Sequence, residues 1–296
     1  MGKQYDHRKL DRKREAELAA PFSFDDIARA LLRAEYRFAK TMPHIPHWYT
    51  LKKTWDDPVV PFENVVAYIR VHGYESDYKG AHRHYWNLNG MQYWSMGWPT
   101  EETTLINRAV PSVYKYPAAY DGIADGYDKL YDTEEARREE KRVFAPYVRG
   151  TGDETLLDIG CGTGLTLDYL NPDRYVGIDP SHQMLALIPN LRGTMESKDE
   201  LIRAALHEFW TEEKFDVVLS LFGVTNYLTA DQVKRIPTFC KPGGQYGVML
   251  FREGYVPKTR AKGDDLPIYA HPVDILPGEV EQINDDYVII RGRRDA

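Results

Sequence analysis

Thr155-Leu-Leu-Asp-Ile-Gly-Cys-Gly-Thr-Gly164 is the stretch that decides the fold. Thr155 to Ile159 reads as a short buried strand. Gly160, Gly162 and Gly164 then alternate through a tight turn, and 163–170 reads as the start of a helix. Glycine is required where the backbone takes φ/ψ angles closed to other residues or lies directly against a ligand. A strand that turns on glycines into a helix N-terminus makes a nucleotide pocket. The spacing excludes two better known pockets. A dinucleotide fingerprint would need glycine at position 165, where this chain has Leu165, and a phosphate-binding loop would need Gly-Lys-Ser/Thr. What remains is Asp158-x-Gly-x-Gly-x-Gly164, followed by Asp179 at the end of a second strand.

This pattern resembles the class I S-adenosylmethionine-dependent methyltransferases, over about residues 115–296. The resemblance implies that the glycine turn (Asp158, Gly160, Cys161, Gly162, Gly164) faces the methionine part of S-adenosylmethionine. It also implies that Asp179 binds the ribose hydroxyls. Pro180 and Met184 after the second strand, and Met195 and Glu196 after the third, fall where that family holds the adenine; ordinary core packing is their alternative. Cys161 also reads as a small buried filler. Tyr120-Asp-Gly-Ile-Ala-Asp-Gly-Tyr127-Asp128 resembles a segment that folds over the cofactor in the family's small-molecule enzymes. Tyr120 and Tyr127 are thus cofactor candidates, or else packing residues.

Around this core the pattern alternates strand and helix, which implies a doubly wound, seven-stranded, mostly parallel α/β sheet. Strands are expected at 155–160, 174–179, about 191–195, 215–222 and 245–251. Helices are expected at 163–170, 181–188, 198–210 and 230–236, with a short one near 272–276. A terminal hairpin joins Glu279–Ile283 to Tyr287–Arg291. Lys241-Pro-Gly-Gly244 resembles the family's turn before its fifth strand. The long helix usual after that strand is reduced here, which removes a wall of the acceptor pocket.

The stretch from Phe215 to Leu228, FDVVLSLFGVTNYL, bears on the acceptor. It lacks the Pro-Pro-aromatic signature of DNA amino-methyltransferases and the Pro-Cys of cytosine enzymes. Positions 217–230 hold no acid, so no metal is expected. Leu221 and Phe222 are placed at the cofactor by resemblance. A hydroxyl or protonated amine acceptor needs a base, and Asn226, Tyr227, His82 and His84 are candidates on placement alone.

Ahead of the core, residues 1–20 read as a charged flexible tail or a solvated helix, and 21–110 as an aromatic-rich α+β module, with the methyltransferase domain over 111–296. Ser23 with Asp26 marks the start of a helix over 24–40, and Trp48 to Trp55 reads as a strand. Phe62 to Gly73 reads as a second helix. Asn89-Gly90 joins two aromatic runs, His82–Leu88 and Met91–Trp98, in a hairpin. His82, His84 and Trp86 share one strand face, read as exposed, and Tyr85 lies on the other. Trp48, Trp55, Tyr85, Trp86, Tyr93, Trp94 and Trp98 are core and strand faces, or a stacking platform helped by Lys52, Lys53 and Arg83.

Of the 38 Lys/Arg and 45 Asp/Glu, residues 1–110 hold 16 and 14 and the remainder 22 and 31, so the net charge of -7 belongs to the back of the chain. That asymmetry is too small to make nucleic acid the favoured partner. With two cysteines, no leader-like first segment and no long apolar run, the chain reads as cytoplasmic and not membrane-bound. The expected function is methyl transfer to a small-molecule or nucleotide acceptor. The alternatives are a nucleic-acid methyltransferase gripping a strand with the front module, and a non-catalytic S-adenosylmethionine-binding protein.

Overall fold

The computed structural model describes residues 7–41, 49–51, 55–78, 81–96, 105–108, 120–147, 153–191, 198–252 and 267–295. The chain divides into two compact units, Met1–Lys115 and Tyr116–Ala296. The stretch Pro111 to Pro117, where the sequence changes character, lies outside the described residues.

The first unit begins with helix α1 (His7–Ala19), where a tail or solvated helix was expected. Its described side chains are not all solvated: Glu15 is buried and meets the buried Arg70 at 3.2 Å. Helix α2 (Phe24–Thr41) starts on a reciprocal cap, with Asp26 N donating to Ser23 Oγ at 3.2 Å and Ser23 N to Asp26 Oδ2 at 2.9 Å. Its Ile27, Leu31 and Ala34 face inward. Strand β1 is confined to Tyr49–Thr50 in the described part of the expected Trp48 to Trp55. Helix α3 (Phe62–His72) buries Val65, Val66 and Ile69.

Strands β2 (Tyr74–Tyr78), β3 (Ala81–Leu88), β4 (Met91–Met96) and β5 (Leu105–Arg108) complete an antiparallel sheet ordered β1-β5-β4-β3-β2. At the hairpin tip Asn89 and Gly90 have φ of 46° and 79°, as a type I′ turn needs. Strands β2 and β5 were not expected. The first is polar (Tyr-Glu-Ser-Asp-Tyr) and the second only four residues long, so neither shows a strand-like apolar pattern.

The second unit is built on the sheet order β11-β12-β10-β9-β6-β7-β8. Its strands are β6 (Thr155–Ile159), β7 (Arg174–Ile178), β8 (Glu200–Ile202), β9 (Phe215–Ser220), β10 (Cys240–Phe251), β11 (Glu279–Gln282) and β12 (Tyr287–Arg293). The central strands are apolar almost throughout, because both faces are covered. Parallel pairing runs from β8 to β10, and β12 returns antiparallel along β10. Strand β6 lies between β7 and β9, so the winding reverses at its carboxyl end, where an open α/β sheet binds its ligand. Around the sheet run helices α4 (Tyr127–Leu130), α5 (Glu134–Phe144), α6 (His182–Leu191) and α7 (Ala230–Arg235).

Four expectations are corrected. Position 191 belongs to α6, 192–197 lie outside the described residues, and the third parallel strand is β8 rather than 191–195. Strand β8 occupies part of the expected helix 198–210, which is otherwise irregular apart from a 3-10 turn at Leu206–Glu208. Side-chain anchoring fixes it there: Tyr175 N donates to Asp199 Oδ1 at 2.8 Å, and Arg174 pairs with Glu200 and Glu213. The expected helix 163–170 is a 3-10 turn at Leu165–Asp168, and 272–276 holds a turn with no helix.

Candidate active site

The glycine turn leaves β6 with φ of 71°, 53° and 83° at Gly160, Gly162 and Gly164. It is drawn over the neighbouring strand by two amides, Gly160 N and Cys161 N, which donate to the Ile178 carbonyl at 2.7 and 3.1 Å. A Cβ on Gly160 would stand 2.4 Å from the Val224 side chain. A Cβ on Gly162 would meet nothing within 4 Å, so open space lies against that amide.

Asp179 joins the turn to the start of α6. Its Oδ2 accepts from Gly162 N at 3.0 Å and its Oδ1 from Ser181 N at 2.7 Å. Burial pushes its carboxyl up to about 6, against the pull of those two amides; Asp158 and Asp121 add repulsion. Asp158 is turned inward beneath the turn. It accepts from Tyr175 OH at 2.9 Å and from Thr166, and burial raises it also to about 6. Its side chain braces the turn through those two contacts. Cys161 is buried beside Tyr175, and burial raises its thiol well above the ordinary value.

A strap, 120–131, is tied down by two further aspartates. Asp121 Oδ1 accepts from Ser181 Oγ at 2.6 Å and Gln183 N at 3.3 Å, and Asp128 Oδ1 accepts from Thr163 Oγ1 at 2.5 Å. Tyr120 packs edge-on against Tyr127 and Tyr227, at 5.8 and 6.3 Å between ring centroids, and its hydroxyl lies 3.1 Å from that of Tyr227. Burial drives the Tyr120 and Tyr127 hydroxyls far above the usual phenol range, so both are neutral. These contacts bring Tyr120, Tyr127, Gly162 and Asp179 to one end of the sheet, with Tyr127 close enough to feel the Asp179 charge.

Residues 156–244 match the family model described as a methyltransferase domain. Together with the sheet order this settles the second unit. It carries a class I S-adenosylmethionine-dependent methyltransferase domain. Two curated relatives match part of the chain. An uncharacterized protein of Methanocaldococcus jannaschii is 33% identical over 116 residues, 39% of this chain and 43% of that protein. Demethylmenaquinone methyltransferase of Lactobacillus johnsonii is 35% identical over 118 residues, 37% of this chain and 48% of that protein. The chain therefore spans less than half the length of these relatives. Among solved structures, the 1,6-didemethyltoxoflavin-N1-methyltransferase of Burkholderia thailandensis is 18% identical. That match covers 70% of this chain and 96% of that one, with a TM-score of 0.45.

Within the methyltransferase domain the remaining candidates separate. Met184 is buried at the start of α6, where its amide donates to Ser181 Oγ at 3.1 Å, and the Pro180 carbonyl accepts from Arg203. Met195 and Glu196 lie outside the described residues. Leu221 is buried in the core, and the partly buried Phe222 ring packs 5.9 Å from Phe144. Asn226 is no base. Its Nδ2 donates to the Tyr269 carbonyl and its Oδ1 accepts from Phe251 N, both at 2.8 Å.

His82 and His84 belong to the first unit. His84 is 3% exposed, which corrects the exposed strand face; the His82 side chain lies outside the described residues. Trp86, Tyr93 and Trp94 are buried, Tyr85 stacks on Tyr74 at 5.4 Å, and Trp55 Nε1 donates to the Val60 carbonyl at 2.9 Å. The first three are thus core and offer no stacking platform. Trp48, Trp98, Lys52, Lys53 and the Arg83 side chain lie outside the described residues.

The sequence reading missed Asp121, Asp128, Thr163 and Ser181. Both aspartates stand in the Tyr120 to Asp128 segment. No helix among the described residues is long and apolar enough to cross a membrane.

Proposed function

We propose that this protein transfers a methyl group from S-adenosylmethionine to a small-molecule acceptor, a nucleotide included. The observation that carries the reading is the Gly162–Asp179 contact: an amide donating to a buried carboxylate beside open space, at the point where the sheet's winding reverses. These residues fit the cofactor. Asp179, when ionised, can accept from two ribose hydroxyls at once. The bare Gly162 lets the methionine part approach the backbone, and Met184 borders the adenine. Bound S-adenosylmethionine supplies an electrophilic methyl carbon on a sulfonium. The chain supplies alignment and a dry site: Asp121 and Asp128 hold the strap closed, and Tyr120 and Tyr127 exclude water. The missing nucleic-acid signatures after β9 and the burial of Trp86, Tyr93 and Trp94 favour a small acceptor.

Calorimetric titration of S-adenosylhomocysteine into the full chain tests the reading. Wild type is expected to bind, and Asp179→Ala to lose at least about tenfold in affinity, about 1.4 kcal/mol. Equal affinity for both would overturn it. Transfer of label from methyl-labelled S-adenosylmethionine to the small-molecule fraction of a lysate would then identify the acceptor.

A further inference from the structure

The segment 267–271 is tied to the loop that follows β9. Asn226 stitches it there. Its backbone carbonyl accepts from Tyr269 N at 2.7 Å while its side chain holds the Tyr269 carbonyl and the end of β10. Two residues further on, His271 Nε2 lies 2.9 Å from the Leu228 carbonyl, and its ring stacks on Tyr269 with centroids 6.3 Å apart. A carbonyl can only accept, so the contact fixes the proton on Nε2 and leaves Nδ1 with its lone pair. A nitrogen base whose other nitrogen is held by a fixed acceptor is the arrangement of a general base with its orienting group. Leu228 directly follows Tyr227, whose hydroxyl meets Tyr120 of the strap, so His271 is held against the loop that reaches the strap over the glycine turn.

We propose that His271 is the proton acceptor of the methyl transfer, acting through Nδ1 on a hydroxyl or protonated-amine acceptor. This rests on the methyl-transfer reading above. The acceptor heteroatom forms its bond to the methyl carbon with a lone pair, which a protonated amine gains by first giving its proton to Nδ1. The carbon–sulfur bond breaks with its electron pair staying on sulfur. The proton of the heteroatom passes to Nδ1 and then to water. Among the described residues the partners of His271 are the Leu228 carbonyl and the Tyr269 ring, neither charged at neutral pH. The acids nearest in sequence to this contact, Asp231 on α7 and Asp274, are exposed. The sequence reading passed over His271 because its role depends on a contact between segments 43 positions apart.

The test compares wild type with His271→Gln and His271→Ala in the full chain. Glutamine keeps an amide donor for the Leu228 carbonyl but has no basic nitrogen. Long-range 15N NMR of the wild-type ring at pH 7.5 should show Nε2 protonated and Nδ1 bare; the opposite tautomer would overturn the proposal. S-adenosylhomocysteine should bind all three proteins equally; a loss in the variants would make His271 part of the cofactor site and overturn it. With the lysate fraction that takes label from wild type, His271→Gln should transfer about 100-fold more slowly and lose the acid limb of the pH profile. Wild-type rates in His271→Gln, with or without loss in His271→Ala, would reduce the residue to a structural tie. Absence of label transfer by wild type, with binding intact, would remove the methyl-transfer reading and this proposal with it.

Discussion

Gly160 and Gly162 stand two residues apart in one turn and exclude a side chain for different reasons. At Gly160 a Cβ would meet Val224 at 2.4 Å on a backbone with φ of 71°, so Gly160→Ala combines a clash with left-handed strain. It is expected to lower unfolding stability by about 2–4 kcal/mol in a denaturant titration. At Gly162 the φ of 53° costs strain alone, since nothing lies within 4 Å. Gly162→Ala should lose only about 1–2 kcal/mol of stability, yet weaken S-adenosylhomocysteine binding about tenfold or more, because the methyl group occupies the space the ligand needs. A Gly162→Ala protein that binds like wild type would show that this space is not the cofactor's. Both glycines were legible because a backbone demand is written in the residue type itself. The inward turn of Asp158 onto Tyr175 was not, and neither was the burial of Leu221 and His84. Side-chain direction there is set by neighbours from other elements, which a linear pattern does not display.

Two elements shape the site without belonging to the sheet: the strap 120–131, which ends in a 3-10 turn and the short α4, and the irregular segment 267–271. Each is held by polar contacts to one or two side chains, so each should open locally before the sheet does. Asp128→Ala removes the bond to Thr163 Oγ1, and the strap's amides should then exchange hydrogen about tenfold faster while those of β6 and β9 stay unchanged. Unchanged exchange over the strap would mean that packing of the tyrosine rings alone holds it. Asn226→Ala leaves both Phe251 N and the Tyr269 carbonyl without their side-chain partner and should cost about 2–4 kcal/mol in unfolding. At this scale the central strands were legible from unbroken apolar runs, and the hairpin from Asn89-Gly90. The misplaced third strand shows the limit. The stretch from Lys198 to Trp210 is full of good helix formers, but Asp199 and the Arg174 cluster pin its start to the edge of β7. Tertiary anchoring there overrides local propensity.

Over the whole molecule the charge is negative, and two acids are held where they resist ionising. Asp158 and Asp179 have carboxyls raised to about 6 by burial, against about 3.9 for an unfolded aspartate. Below about 4 both states of the chain hold these protons. Between about 4 and 6 the folded state holds more, so stability falls as pH rises through that window, by about 3 kcal/mol per group at most. The overall charge of -7 at pH 7 acts in the same direction, since repulsion also grows as the acids ionise. Asp158→Asn separates the two effects. It keeps an acceptor for Tyr175 OH and removes one titration, so unfolding curves from pH 4 to 7 should flatten relative to wild type; parallel curves would place the Asp158 proton elsewhere. Ligand binding should show the opposite slope. Asp179 faces the amides of Gly162 and Ser181, the carboxylates of Asp158 and Asp121, and the phenol of Tyr127. Ribose hydroxyls donating to its ionised form would lower its pKa, so binding expels a proton from the site. Affinity for S-adenosylhomocysteine should therefore rise as pH climbs through about 6, by at most about tenfold per unit, with proton release measurable by calorimetry in buffers of different ionisation enthalpy. A dissociation constant that stays flat from pH 5 to 7.5 would mean that this carboxylate is not what holds the sugar.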